Sequence, residues 1–409
     1  MNILFLNQYA LPRGEAGITR HGDIGAELVA RGHRVTVIAS DFDYFTRRQG
    51  SRPPKSEHDG VRFIWLRSGA YVQNDRRRVR SMVRFAAVAG WAATRLRPRP
   101  DVIVGSSPHL LAPLSAEFAA SMLRRPWVFE VRDFWPSALV DLGAIRSGGR
   151  THRSLERLER HLYRTATSIV SVPPRGASRI EETGVDPDKV VHIPNATTMA
   201  LVDPSDPPAS LRQALADLRH TYLLVYAGAL GVTHDLETVL VALGELQSDP
   251  DGAKPVGVLF LGDGVERERT EAIAARLQLP NVRFHAAVNK RAIPTVLAQA
   301  DACLMHAGGS DYFKYGLSPN KMFDYFSSGK PVLIAADQST VVDEERVGVR
   351  YRPGDPAALA EAIRKVKALS AEELDALRER AVSLAAGRYS VHAIATQYEN
   401  LLERVVSAA

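Results

Sequence analysis

At 409 residues, 45% of them hydrophobic and 24% charged, the chain is too long for one comfortable core and reads as a globular α/β protein of two domains. Its single cysteine, Cys303, excludes an intramolecular disulfide and a cysteine zinc cluster, and its apolar neighbours suit an inert buried thiol. The formal charge of +6 hides an asymmetry, because residues 1–200 carry 30 Lys and Arg against 19 Asp and Glu, a net of +11 that leaves −5 for the rest.

The opening, MNILFLNQY, has no basic residue ahead of its apolar run, so no secretory leader is expected. No apolar run nears the roughly 18 residues of a membrane span; the longest, residues 85–93, is half that. Residues 2–7 read as a buried strand. A loop with Gly14 and Gly17 follows, then a helix to about Ala30 closed by Gly32, then a β-branched strand at 34–39. This is a βαβ unit and argues a parallel sheet, but the spacing is not GxGxxG and excludes a nicotinamide fingerprint. Asp41 and Asp43 spell DxD, read here as loop or cap chemistry rather than a metal site.

Residues 61–66 form another strand. Arg76, Arg77, Arg78, Arg80 and Arg84 then lead into Phe85, Val88, Trp91 and Ala92, with Arg95, Arg97 and Arg99 behind. Two readings stand for this stretch: a basic amphipathic face lying on an anionic membrane, or a helix packed on the sheet with solvated arginines. No helix-turn-helix, RNP or zinc-knuckle signature accompanies the charge, so nucleic acid is not an expected partner. Strands at 101–104 and 127–131 follow. The second delivers Arg132, Asp133 and Trp135 to a carboxyl edge, where open α/β sheets bind ligands; the plain alternative is that these charges pair only with neighbours. A charged helix at 154–164, a strand at 167–172 and the phrase VVHIPNA at 190–196 close this half, and 203–210 is a proline-rich linker.

The second half restarts with a strand at 222–226, then Gly228 and, further on, His234. Residues 256–264 are strand then turn, and 303–306 and 332–336 are further strands. Helices are expected at 356–366 and 371–386, ahead of a last helix. Between them, GLSPNKMFDYFSSGKPV is the most informative phrase. Ser318 is an N-cap type, Pro319 suits the first helical position, and Gly329 with Pro331 ends the helix, giving 319–328. Met322, Phe323 and Phe326 share a core face; Lys321, Asp324 and Tyr325 share another. Backbone donors at such a helix start, with Lys321 a turn in, make an anion site; an ordinary capped helix with solvated Lys and Asp is the plain alternative.

This phrase resembles the donor-binding segment of family 4 retaining glycosyltransferases, which have the GT-B fold, and more closely a subgroup like the bacterial N-acetyl-fucosaminyl transferases. Asp324 matches the second of that family's two acids. Gly316 falls where the first acid stands, a departure from the pattern. Arg132 takes the place of a usual histidine, and His234 that of a lysine that grips the diphosphate. The resemblance implies two doubly wound, Rossmann-like parallel-sheet domains with an interdomain cleft: an acceptor-side domain at 1–200, a nucleotide-sugar domain at 201–386, and a helix at 387–409 crossing back. It implies retaining, metal-independent transfer from a UDP-sugar, without cofactor, to a lipid-linked or oligosaccharide acceptor in surface-glycan assembly. From the basic first half and its arginine clusters around a short apolar run, a cytoplasmic place with the first domain resting on the inner face of the plasma membrane is expected. Alternatives are a soluble natural-product acceptor, or a non-catalytic nucleotide- or glycan-binding protein of the same fold. Donor contacts are implied for Gly17, Gly228, His234, Lys290, Gly316, Leu317, Ser318, Asn320, Lys321 and Asp324. Lys321, Arg132 and Asp133 are the implied catalytic residues.

Overall fold

Runs such as NILFL, VIVGS and VLIA are apolar at successive positions rather than alternate ones, which suits strands covered on both faces. A computed structural model describes every residue except 16, 43–49, 51, 72–74, 142, 200–203, 248–253 and 309–313, so Asp43 and part of the 203–210 linker lie outside the described residues. The chain divides into two units, Met1–Ala196 with Val391–Ala409, and Thr197–Ser390.

Among the described residues, the first unit's sheet has strands β1 (Asn2–Leu6), β2 (Arg34–Ser40), β3 (Lys55–His58), β4 (Val61–Leu66), β5 (Val102–Ser106), β6 (Trp127–Val131), β7 (Ser168–Ser171) and β8 (Val190–His192). Their order is β3-β4-β2-β1-β5-β6-β7-β8, parallel except for the β3–β4 edge pair. The final helix, Val391–Ser407, belongs to this unit. It sets Ile394, Tyr398, Leu401 and Leu402 into one core with Ile3, Phe5, Leu28 and Val35. Arg31 and His33 hold its Glu399 at 2.6 and 2.7 Å.

The second unit's sheet comprises β9 (Tyr222–Ala227), β10 (Val256–Leu261), β11 (Val282–His285), β12 (Ala302–Met305), β13 (Val332–Ala335) and β14 (Gly348–Tyr351), all parallel, in the order β11-β10-β9-β12-β13-β14. Met322, Phe323 and Phe326 enter its core as the helical spacing predicts. Tyr325 corrects that reading, because it is fully buried rather than on the polar face. Its hydroxyl accepts from the Ala227 backbone N–H at 2.8 Å, which satisfies the one polar atom of an otherwise apolar ring.

Among the parallel strands of each sheet the order reverses once, between β1 and β5 and between β9 and β12. Loops diverge at the carboxyl ends of such pairs and leave a crevice there. These two edges position the candidate residues.

Candidate active site

At the second unit's switch point three loops meet. One follows β9 and runs through Gly228 to the single 3₁₀ turn Val232–His234. One follows β12 and carries His306, and the Gly308 N–H ties it to the Thr233 carbonyl at 2.8 Å. The third leads through Gly316, Leu317 and Ser318 to the helix Asn320–Ser328. Gly316 has φ +95°, open to glycine and costly for other residues.

The helix begins one residue later than predicted. Pro319 is the cap, with φ −74° and ψ 146°, and no side chain caps the first turn. Proline holds the φ that a helix needs, yet its own ψ is extended, so it marks the boundary rather than the first turn. Gly329, at φ +67°, closes the helix as expected.

From this first turn Lys321 points back under β9. Its Nζ is buried, makes no hydrogen bond, and lies 3.9 Å from the centre of the Tyr226 ring. A β-carbon on Gly228 would stand 3.3 Å from that nitrogen, so the glycine opens the space above it. Burial pushes the ammonium down to about 7. His234 sits beside it with Nδ1 buried and unpartnered, and burial together with Lys321 brings its imidazole down to about 3. The edge thus concentrates nitrogen donors and keeps them poorly charged when nothing is bound.

Asp324 and Lys290 occupy a neighbouring position. The Asp324 carboxylate accepts from the Thr197 hydroxyl at 2.9 Å, and the Lys290 ammonium donates to the Thr198 hydroxyl at 2.5 Å. Adjacent threonines thus anchor both. Asn320 and Ser318 are half-buried at the helix start.

In the first unit, Asn7 after β1 donates to the Ser106 hydroxyl at 3.2 Å across the switch point. Glu130, a carboxylate inside the apolar strand β6, is fully buried. It accepts from Arg20 and His21, each at 2.9 Å, from Ser106 at 2.8 Å, and from the Tyr398 hydroxyl. Burial alone would raise its pKa, but Arg20 and His21 outweigh that and hold it well below the usual carboxylate range. Next along the chain, the Arg132 backbone N–H donates to the Ser107 hydroxyl at 2.9 Å, and its guanidinium Nη1 is buried without a hydrogen bond. Asp133 is half-buried beside it. Gly17, at φ +135°, lies in the loop between β1 and the helix Arg20–Ala30. Asp41 is buried, with the Arg67 guanidinium 4.0 Å from its carboxylate.

Lys321, His234, Gly228 and the Gly316–Asn320 loop therefore converge on one edge, with Asp324 and Lys290 beside it. Arg132, Asp133 and Gly17 belong to the other unit. Sequence reasoning missed Glu130, legible as a charge in the middle of VFEV, and His306, legible only as a polar residue directly after a buried strand.

The first half, residues 16–196, matches the family model of the glycosyl transferase 4-like domain, and residues 221–368 match that of the glycosyl transferases group 1. The chain is a GT-B glycosyltransferase. This glycosyltransferase is 23% identical over 363 residues to an Escherichia coli K12 protein named as a colanic acid biosynthesis glycosyl transferase, WcaI, covering 84% of the chain and 86% of that protein. Among solved structures it resembles sucrose-phosphate synthase from Thermosynechococcus elongatus, with TM-score 0.74, 18% identity and full coverage of both chains. It also resembles HepE from Anabaena in complex with UDP-glucose, with TM-score 0.70, 17% identity and coverage of 99% and 100%. The glycosyltransferase moves a sugar from a nucleotide-sugar to an acceptor. Among its described residues, no helix is long and apolar enough to cross a membrane.

Proposed function

We propose that the chain is a retaining, metal-independent glycosyltransferase that takes a sugar from a UDP-sugar and adds it to a lipid-linked glycan in bacterial surface-polysaccharide assembly. The observation that carries the reading is the buried, unpartnered Lys321 ammonium at the uncapped start of the helix Asn320–Ser328. A departing diphosphate supplies the negative charge that the lysine lacks, at a helix start where backbone N–H groups favour an anion. Asp324 takes the ribose hydroxyls, exchanging Thr197 for them. His234, Lys290 and Gly17 complete the donor side, and Arg132 and Asp133 serve the acceptor side. The relationship to a protein named for colanic acid synthesis and to one solved with UDP-glucose supports the donor and product classes.

A membrane-borne acceptor is supported by the helix Arg76–Thr94. Val79, Val83 and Trp91 are 58%, 53% and 58% exposed, and the helix Leu111–Leu123 adds Phe118 and Met122 at 47% and 63%. Arginines 76, 77, 80 and 84 border this apolar patch, the combination that anionic lipid surfaces attract.

The test is product analysis with a panel of UDP-sugars against lipid-linked and soluble glycan acceptors, in excess EDTA. The expected product keeps the anomeric configuration of the donor, and forms on the lipid-linked acceptor. An inverted product, or activity lost in EDTA and restored by Mg²⁺ or Mn²⁺, contradicts the mechanism.

A further inference from the structure

The donor edge of the second unit holds three nitrogens of one kind. Lys321 Nζ, His234 Nδ1 and His306 Nε2 are each buried and each without a hydrogen bond. They come from the first turn of the helix Asn320–Ser328, the turn after β9 and the loop after β12, around the switch point between β9 and β12. A buried polar atom without a partner costs free energy, and three in one place are the signature of a site shaped for something else.

The surroundings offer them little counter-charge. From β9 comes the Tyr226 ring, edge-on to His234 with centroids 6.1 Å apart, and its hydroxyl is bonded to the Ala229 carbonyl at 2.7 Å. From β14 comes Tyr351, whose hydroxyl shares a 2.7 Å hydrogen bond with His306 Nδ1. After the turn comes Asp235, whose carboxylate stands 3.9 Å from His306 Nε2 and accepts from the Thr238 hydroxyl at 2.6 Å. On the helix itself, Asp324 is engaged by Thr197 and the Tyr325 hydroxyl by the Ala227 backbone. Among the described residues, Asp235 is thus the carboxylate that faces this group, and it faces His306, not Lys321.

We propose that Lys321, His234 and His306 form a diphosphate cradle that takes up a proton from solvent as the ligand binds. This rests on the nucleotide-sugar reading and adds to it. Lys321 and His234 are held with little charge, because burial penalises a cation there and the nearby carboxylate, Asp235, faces His306. An arriving diphosphate supplies the partner, and the proton follows. A site built on a guanidinium, which stays charged, would bind the same group without proton uptake; here the cation is made on demand. Lys321 is the first to take the proton, since burial has already brought it close to neutrality while His234 lies far below.

The cradle also sets a direction for pH. Above neutrality Lys321 is deprotonated in the free protein, so diphosphate binding must draw a proton from a falling supply. Affinity then drops roughly tenfold per pH unit between pH 8 and 9. Below neutrality Lys321 is already charged, and binding draws little.

The experiment is titration calorimetry of the full chain with UDP, and with GDP and ADP in parallel, in buffers of different ionisation enthalpy. At pH 8 the terminal phosphate is fully ionised, since its second pKa is about 6, so any uptake belongs to the protein. The expected result is close to one proton per nucleotide at pH 8, falling toward zero at pH 6, and absent in Lys321→Arg, whose guanidinium stays charged throughout. His306→Gln and His234→Gln should weaken binding while keeping Lys321's uptake. Nucleotide binding whose heat is independent of buffer at pH 8 overturns the cradle and leaves the nucleotide-sugar reading standing. Failure of every nucleotide to bind at any pH overturns both.

Discussion

Lys321 is placed where its charged form destabilises the fold. Unfolded, its ammonium titrates near 10.5; in the fold burial brings that to about 7. The folded chain therefore binds fewer protons than the unfolded chain between those values. The penalty is full below pH 7 and is relieved as pH climbs toward 10.5. Lys321→Met fills the same space without the charge and should raise the melting temperature of the nucleotide-free protein. The gain should be greatest at and below pH 7 and should shrink by pH 9. A variant that melts at or below the unaltered protein at pH 7 would mean that the ammonium is solvated or paired. Lys321 and Asp324 were legible in the sequence because they lie three residues apart on one short helix, so local spacing alone juxtaposes them. His306 was not, because Asp235 and Tyr351, which frame it, are distant in sequence.

At the scale of elements, the strands were the readable part. Apolar runs buried on both faces carry their own signal, and β1, β2, β4, β6 and β9 lie within a residue or two of their predicted positions. Helices rich in alanine and leucine, such as Leu111–Leu123 and Leu236–Gln247, escaped notice because apolar residues on all sides blur the helical period. The helix Arg76–Thr94 was misread in a useful way. Phe85, grouped in the sequence with Val88 and Trp91, is fully buried against the sheet. The exposed apolar stripe instead runs through Val79, Val83, Val88 and Trp91, three to five residues apart, with Arg76, Arg80 and Arg84 alongside. Flotation with phosphatidylglycerol-containing vesicles tests its use. Each basic residue near such a surface contributes about 1 kcal/mol and is screened by salt. Binding should fall steeply with ionic strength and drop severalfold in the Val83→Ser, Trp91→Ser double variant. UDP affinity should not change, since Lys321, His234, Lys290 and Asp324 belong to the other unit. Protein that stays at the bottom of the gradient at low salt would favour a soluble acceptor.

For the whole molecule, one chain builds two α/β units and then gives its last helix to the first of them. Tyr398 of that helix bonds Glu130 inside β6, so the first unit's polar core is complete only when the two ends of the chain are together. A doubly wound fold was readable from alternating strands and helices, because each βαβ crossover is local. The Glu130 network was not, because its members, Arg20, Ser106, Glu130 and Tyr398, are brought together only by the sheet. What unites both units in function is transfer from a nucleotide-sugar, and the central claim is that the Lys321 edge carries the departing diphosphate. The direct measurement is nucleotide release from UDP-sugars, comparing the unaltered chain with Lys321→Met at saturating donor. Charge that develops as the glycosyl bond breaks is stabilised more in the transition state than before it. Turnover should therefore fall roughly a hundredfold or more, with a smaller change in binding of the intact donor. Equal turnover by the two proteins, or no release from any UDP-sugar by the unaltered chain, would contradict the account.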